Sequence, residues 1–341
     1  MDIFNFFSGK KVLIWADASV SIGLGHVMRC LALARMLEEK GAKVTFLCRE
    51  ISQAIVEDNG FTVVLVPHGE DVLEKLVVLE GDWLVVDDYS IDAMWERLAR
   101  TTGNQIMVID DLANRLHDCD VLLDQNLYDG FEKRYDHLVP AACKKILGPR
   151  FSLLRPEFQF FAQQQRSRDG SVRKILVSFG GSDPTNETAK ILYALKHVQS
   201  DLNVQVVAGA LNPNLTELME LADQDNRVQL RAMVNNMAEL MVEADLAMGA
   251  GGSTTWERCS VGLPSITIVV ADNQRELMGT LDRLGALWNL GESQDVTAEQ
   301  IAEKIRFLLE SHEEVARVAV RAKSVMAIGY TNLKIEGRFL C

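Results

Sequence analysis

Short apolar segments alternate with amphipathic stretches along most of the chain. The first apolar run, KVLIWAD at residues 11–17, ends at the turn SVSIGLGH, and the following stretch VMRCLALARMLEEKG has apolar residues at helical spacing. The series continues through further apolar runs, separated by polar or helical stretches: KVTFLC, FTVVLVP, DWLVVDD, QIMVID and DVLLDQ. This alternation predicts βαβ units and therefore a parallel sheet covered by helices.

A second series of the same type starts at RKILVSFGGSD, after a segment with two prolines and a polar tail that is typical of a domain connection. Because 341 residues exceed the usual size of one core, two domains are expected. The predicted parts of this α/β chain are an N-terminal Rossmann-like domain, a linker and a C-terminal Rossmann-like domain, at residues 1–150, 151–172 and 173–341. Two doubly wound domains that face each other across a cleft bind ligands at the carboxyl ends of their strands, here the loops at 18–26, 87–91, 180–186 and 249–257.

The chain is strongly acidic, with a formal net charge of −13 and a pI near 5.0. Nucleic acids and anionic membranes need a basic surface, so neither is an expected partner. The six cysteines form no CxxC pair and have no metal-ligand spacing. No stretch approaches the roughly twenty apolar residues of a membrane span. We therefore expect a cytoplasmic protein with reduced thiols, whose ligand is an anionic small molecule held by local donors.

The loop IGLGHVMR combines Gly23 and Gly25 with the start of a helix, an arrangement that suits a diphosphate. Arg29, in the same segment, is a further candidate for substrate binding. His26 is the leading candidate for catalysis, because the partial positive charge of a helix N-terminus disfavours a protonated imidazole and keeps it able to accept a proton. The alternatives are an ordinary strand-to-helix turn and a capping or core histidine.

The segment DWLVVDDYSID places Asp87, Asp88 and Tyr89 at the end of a buried strand. Side chains alternate along a strand, so the two aspartates are expected to point to opposite faces and not to share one metal ion. We favour Tyr89 as a hydrogen-bonding group, with a structural role as the alternative. Asp110 and Asp111 end another strand, where capping of the next segment is an equally good explanation.

Two glycine-rich loops of the second half are candidate phosphate sites. In SFGGSDPTNET, the donors are Gly180, Gly181 and Ser182, although a plain turn is the alternative. In GAGGSTTWERC, the glycines open a helix, and Glu257 lies about one turn inside it, where a carboxylate can accept from ribose hydroxyls unless it is only a solvated helix residue. The remaining candidates for substrate binding are Gly251, Gly252, Ser253 and Asn273.

These segments together resemble the PseG family of UDP-sugar hydrolases in pseudaminic acid biosynthesis, which belongs to the GT-B superfamily. The resemblance runs in order from about residue 12 to 290 and is carried by DASVSIGLGHVMRCLALA, WLVVDDYSIDAMWE, VIDDLANRLHDCDVLLDQN, LGPRFSLLRPEF, VSFGGSDPTNET and AGGSTTWERCSVGLPSI with NQREL. Asp88 departs from the pattern, since a histidine is expected before the tyrosine. The last stretch, MAIGYTNLKIEGRFLC, also matches poorly.

The resemblance implies a GT-B-like fold and hydrolysis of UDP-2,4-diacetamido-2,4,6-trideoxy-β-L-altrose to the free sugar and UDP, without a metal or cofactor. It further implies that His26 activates the attacking water with help from Tyr89, and that the C-terminal domain binds UDP with Glu257 on the ribose. Two other functions stay open. One is a GT-B glycosyltransferase, which needs an acceptor, and the other is a non-catalytic protein that binds a sugar nucleotide.

Overall fold

A computed structural model describes residues 4–16, 25–164, 166–209, 212–232 and 234–331, together with the backbone of 334–335 and 338–339. The chain divides into two compact units. The first contains Met1–Pro156 and Ile328–Cys341, and the second contains Glu157–Ala327.

The first unit is built on a sheet whose strands are β1 (Lys11–Ala16), β2 (Lys43–Cys48), β3 (Thr62–Leu65), β4 (Trp83–Asp87), β5 (Gln105–Ile109), β6 (Val121–Asp124) and β7 (Lys144–Leu147). The order β7-β6-β5-β4-β1-β2-β3 is parallel throughout. Its helices are α1 (Gly25–Glu38), α2 (Glu50–Asp58), α3 (Val72–Leu76) and α4 (Ala93–Arg100). The βαβ alternation in the sequence thus gives the doubly wound sheet that was expected.

Helix α1 packs on the centre of this sheet. Leu33 and Leu37 on α1, together with Ile14 on β1 and Phe46 on β2, have no solvent exposure and belong to one apolar core. Burial of each such side chain contributes roughly 1.5–3 kcal/mol. This packing fixes the N-terminal end of α1 above the neighbouring strands β1 and β4. The chain turns in opposite directions after these two strands, which is where doubly wound sheets bind ligands.

The second unit begins with α5 (Pro156–Gln163) and has a sheet of its own. Its strands are β8 (Lys174–Ser178), β9 (Asn203–Ala208), β10 (Val228–Ala232), β11 (Leu246–Ala250), β12 (Ser265–Val269) and β13 (Trp288–Glu292), in the parallel order β10-β9-β8-β11-β12-β13. The helices are α6 (Glu187–Leu195), α7 (Leu215–Ala222), α8 (Met237–Glu243), α9 (Thr254–Ser260), α10 (Asp272–Arg283), α11 (Ala298–Glu310) and α12 (His312–Val325). The change of direction falls between β8 and β11, so the glycine-rich loops after both strands lie at the ligand-binding edge.

The expected C-terminal boundary needs a correction, because the chain returns to the first unit at Ile328. Strand β14 (Tyr330–Thr331) pairs antiparallel with β7, and the N–H of Arg150 donates to the carbonyl of Ile328 at 2.9 Å. An outer strand presents unpaired N–H and C=O groups, and β14 covers those of β7. The short strands β15 (Lys334–Ile335) and β16 (Arg338–Phe339) pair with each other.

The expected linker at 151–172 is also corrected, because the division of the chain falls at Pro156 and most of the linker belongs to the second unit. Helix α5 lies in the middle of this segment, with Phe158 fully buried. Among the described residues, no helix is long and apolar enough to cross a bilayer.

Candidate active site

His26 and Asp87 meet where α1 begins and β4 ends. The imidazole Nδ1 lies 2.6 Å from Asp87 Oδ1, and the side chains are almost fully and fully buried, respectively. His26 is the second residue of α1, and Asp87 is the last residue of β4, the strand next to β1. The pairing of β4 with β1 and the start of α1 therefore bring together two side chains that are 61 positions apart in the chain.

Arg29 lies one helical turn after His26 and binds the same carboxylate. Its Nε and Nη2 donate to the two oxygens of Asp87, each at 2.6 Å, and its Nη1 donates to Asp111 Oδ2 at 2.9 Å. The guanidinium is thus engaged by two carboxylates, and only 6% of the residue is exposed. Arg29 is therefore a buried counter-ion of Asp87 and Asp111, and its expected role in substrate binding stays a prediction.

The charge of Arg29 keeps Asp87 ionised. Burial alone would raise the pKa of the Asp87 carboxyl, but Arg29 and then His26 outweigh it and hold this pKa well below its usual range. An ionised carboxylate only accepts hydrogen bonds, so Nδ1 of His26 carries the proton in the contact with Asp87. The other ring nitrogen, Nε2, is then the atom that can accept a proton. The helix N-terminus considered from the sequence is therefore only one of several charges that face His26.

Tyr89 contacts His26 through its ring and not through its hydroxyl. The two ring centroids are 4.6 Å apart, and the ring planes are nearly perpendicular. The hydroxyl donates to Asp111 Oδ1 at 2.6 Å. Burial and the negative charge of Asp111 raise the pKa of Tyr89 well above its usual range, so the Tyr89 hydroxyl keeps its proton near neutral pH and does not act as a base.

The neighbouring aspartates divide into site residues and structural residues. As the strand alternation predicted, Asp88 turns away from Asp87, and its Oδ2 accepts from Trp15 Nε1 at 2.9 Å while its Oδ1 accepts from Ser90. Asp110 accepts the N–H of Ala113 at 2.8 Å, as a cap does. Asp87 and Asp111 are the site residues that sequence reasoning missed. Each of them is next to a second aspartate in the sequence. The alternation of side chains along a strand does not tell which aspartate of each pair faces α1.

Of the two glycines in the segment IGLGHVMR, the structure describes only Gly25. Gly23 lies outside the described residues, and Gly25 is the first residue of α1. Contact of these two glycines with a diphosphate therefore stays a prediction. Among the described residues, no group of three or more histidine, cysteine or acidic side chains could hold a metal ion.

In the second unit, the loop after β8 is tightly turned. Gly180 has a φ of +85°, and Gly209 packs directly against the backbone of Gly181. The buried Asp183 accepts from the N–H groups of Glu187 and Thr188 at 2.9 and 3.0 Å. These two N–H groups at the start of α6 are therefore already used, and contact of a phosphate with Gly180, Gly181 and Ser182 stays a prediction.

In the loop after β11, Gly251 packs against helix α10 and Gly252 has open space beside it. The N–H of Gly251 donates to Gln274 Oε1 at 3.1 Å, and a Cβ on Gly251 would lie 2.6 Å from Met278. Gly251 thus lets α10 approach and its N–H is already bonded, and its expected contact with a phosphate stays a prediction. A Cβ on Gly252 would meet no atom within 4 Å, and Ser253 is half-buried; contact of these two residues with a phosphate stays a prediction.

Glu257 and Arg258 are both buried in α9. Glu257 is 9% exposed, which rules out the alternative of a solvated helix residue. Arg258 donates to the carbonyl of Ala250 at 2.8 Å, and burial lowers its pKa to about 10. Arg258 thereby fixes the end of β11 beside Glu257, whose contact with a ribose stays a prediction. Asn273 is exposed at the start of α10.

Comparison with known proteins agrees with the sequence motifs. Residues 175–327 match the family model of the glycosyltransferase family 28 C-terminal domain. A UDP-2,4-diacetamido-2,4,6-trideoxy-beta-L-altropyranose hydrolase of Campylobacter jejuni is 28% identical over 69% of this chain and 82% of its own. An uncharacterized protein of Methanocaldococcus jannaschii is 29% identical over 78% of this chain, which spans only 57% of that longer protein. The expected resemblance to this hydrolase family is confirmed.

The fold has solved counterparts. MurG of Acinetobacter baumannii superposes with a TM-score of 0.65 at 18% identity, over 92% of this chain and 95% of its own. At this identity the likeness shows the fold alone, and it confirms the GT-B-like class with two Rossmann-like units.

Proposed function

We propose that this protein hydrolyses UDP-2,4-diacetamido-2,4,6-trideoxy-β-L-altrose to UDP and the free sugar. The observation that carries the proposal is the buried His26–Asp87 pair at 2.6 Å, since it gives a base of defined tautomer in the motif that resembles the hydrolase family. The similarity to the Campylobacter jejuni hydrolase supports the choice of substrate.

In the proposed reaction, Nε2 of His26 takes a proton from water as the water oxygen attacks the anomeric carbon. The bond between that carbon and the phosphate oxygen breaks, and UDP leaves with the electron pair. Because water attacks on the face opposite the leaving group, the anomeric configuration inverts. Asp87 holds the imidazole and stabilises the imidazolium that forms, and His26 afterwards returns the proton to solvent.

UDP is a good leaving group, so the departing charge needs stabilisation by fixed donors and not a strong acid. We assign this task to the second unit, which holds the family 28 domain. Its candidate contacts are the loop donors Gly180, Gly181, Ser182, Gly252 and Ser253, with Glu257 on the ribose and Asn273 beside it.

A second candidate function is transfer of an amino sugar from a UDP-sugar to an acceptor. The match to a glycosyltransferase C-terminal domain favours it. The same base would then activate an acceptor hydroxyl in place of water. The two functions differ in one requirement, because only the transferase needs an acceptor.

The test is a time course of UDP release from candidate UDP-sugars in buffer with EDTA and no acceptor, run in ¹⁸O-water. We expect release of UDP, with the label in the sugar and none in UDP. Label in UDP contradicts attack at carbon. UDP release that begins only when an acceptor is added identifies the transferase, and His26→Ala with normal turnover contradicts the base assignment.

A further inference from the structure

The carboxylate of Asp111 joins the two residues that flank His26. Its Oδ2 accepts from Arg29 Nη1 at 2.9 Å, and its Oδ1 accepts from the hydroxyl of Tyr89 at 2.6 Å. Arg29 in turn binds Asp87, the partner of His26, and the ring of Tyr89 lies against the imidazole. These contacts form a closed circuit in which Asp111 links Arg29 to Tyr89. Its five members are His26, Asp87, Arg29, Asp111 and Tyr89.

The positive and negative charges of this circuit do not cancel while His26 is neutral. Arg29 is one cation between two carboxylates, and their combined attraction outweighs burial and raises its pKa well above its usual range. The circuit therefore has an excess negative charge of one while His26 is neutral, and it becomes balanced when His26 takes a proton. Because Arg29 contacts both oxygens of Asp87 and only one of Asp111, the charge of Asp111 is the less compensated of the two.

Other charged groups lie close to this cluster. Asp110 is paired with Arg115 at 2.7 Å. The pKa of Asp124 is raised well above its usual range by burial, and further by the charges of Asp111 and Asp110, so Asp124 tends to the neutral acid. On the remaining elements, Arg134 and Tyr128 contact the backbone carbonyl of Asp111, and Cys30 contacts Asp87. In these contacts none of the three binds the Asp111 carboxylate.

We propose that Asp111 is a positioning residue of the reaction: its carboxylate anchors the Tyr89 ring against His26 and supplies the negative charge that lets His26 accept a proton from water. The expected effect on UDP release rests on the proposed function. The expected effect of the Asp111 charge on protonation of His26 concerns the free protein and does not depend on the substrate.

The test compares full-length wild-type protein with Asp111→Asn, Tyr89→Phe and the control Asp88→Asn. Asp88→Asn removes one negative charge at a residue that faces Trp15 and not His26. The first measurement is an NMR titration of the His26 imidazole without substrate, with the signal assigned by its loss in His26→Asn. We expect Asp111→Asn to move the midpoint of this titration to lower pH by about half to one unit, and Asp88→Asn to move it less.

Tyr89→Phe gives the opposite sign and keeps the inference testable if Asp111→Asn fails to fold. Without the phenol as donor, the Asp111 charge is less well satisfied, so the midpoint is expected to move to higher pH. A midpoint that moves no further in Asp111→Asn than in Asp88→Asn, or that falls in Tyr89→Phe, overturns the proposal.

The second measurement is the pH dependence of UDP release. We expect Asp111→Asn to shift the acidic limb of kcat/KM in the same direction as the NMR midpoint, with kcat about tenfold lower and KM within about twofold. A raised KM with unchanged kcat contradicts the positioning role. If no UDP-sugar is turned over by the wild-type protein, the proposed hydrolysis fails, while the NMR titration still decides the effect of Asp111.

Discussion

The imidazole of His26 meets the ring of Tyr89 edge-on, with the ring centroids 4.6 Å apart. The imidazole is also held by Asp87 through Nδ1. These two contacts together restrict rotation of the ring, so Nε2 keeps one direction. Restricted orientation of this kind is what a general base needs to meet a single water molecule.

Asp87→Asn should lower kcat for UDP release by about 100-fold or more, with a much smaller change in KM. The carboxamide can offer an N–H to Nδ1, which places the imidazole proton on Nε2 and removes the base. Steady-state kinetics of UDP release checks this. Asp88→Asn is the matched control and should stay within about threefold of wild type, and equal losses in both variants would contradict the role of Asp87.

Acid should destabilise the wild-type protein more steeply than Asp87→Asn. The folded-state pKa of Asp87 lies below that of the unfolded chain, so its stabilising effect is complete above about pH 5 and is lost as the pH falls toward the folded-state pKa. The carboxamide of the variant has no proton to gain. Urea unfolding between about pH 6 and pH 3 measures this effect, and parallel pH dependences of the unfolding free energy in the two proteins would count against it.

Arg29→Lys should lower kcat by about tenfold and leave UDP binding unchanged. A lysine ammonium cannot contact both oxygens of Asp87 and also Asp111 in the planar geometry of a guanidinium. Since Arg29 is a buried counter-ion, the affinity for UDP measured by calorimetry should stay within about twofold of wild type. Arg35→Lys, a half-buried arginine later on the same helix that pairs with Glu38, is the control. A loss of UDP affinity only in Arg29→Lys would instead identify Arg29 as a substrate ligand.

Gly148→Ala should lower the free energy of unfolding by about 3 kcal/mol, and Gly103→Ala by only about 1 kcal/mol. Both glycines have a positive φ, +100° and +90°, so both variants carry the backbone strain. Only at Gly148 would the new Cβ also meet another part of the backbone, 2.9 Å from the Cα of Gly329. Urea unfolding of both variants separates the two effects, and equal losses would mean that contact with the C-terminal strand adds nothing.

Glu257→Gln should weaken UDP binding by about tenfold, with a smaller effect on kcat at saturating substrate. A neutral amide is a weaker acceptor for ribose hydroxyls than a carboxylate. Calorimetric titration with UDP measures the change. Glu303→Gln, on an exposed position of α11, is the control and should bind UDP as the wild type does. Unchanged affinity in Glu257→Gln would remove this residue from the nucleotide site.

Local sequence patterns were sufficient to predict the two Rossmann-like units. Apolar runs at strand length and apolar residues at helical spacing show within a few residues which face of an element is buried, because the period of the pattern is a local property of the sequence. The position of His26 at the first turn of α1 and the opposite directions of Asp87 and Asp88 followed from the same patterns. Each of these predictions needed only the period of a strand or a helix.

The partners of Arg29 could not be predicted in this way. Asp87 and Asp111 lie 58 and 82 positions further along the chain, and only the order of the strands brings them to α1. An arginine next to a glycine-rich loop is equally consistent with a phosphate ligand until its neighbours are known. The N–H of Gly251 is a similar case, since its acceptor Gln274 lies on a helix after the next strand.

The pairing of β14 with β7 has a consequence for the order in which the protein is made. The ribosome synthesises all of the second unit before it reaches the strand that completes the first sheet. A nascent first unit therefore waits with the β7 edge of its sheet uncovered, and a stop codon near residue 328 would damage the unit that carries His26, although the lost residues follow the whole second unit in the chain.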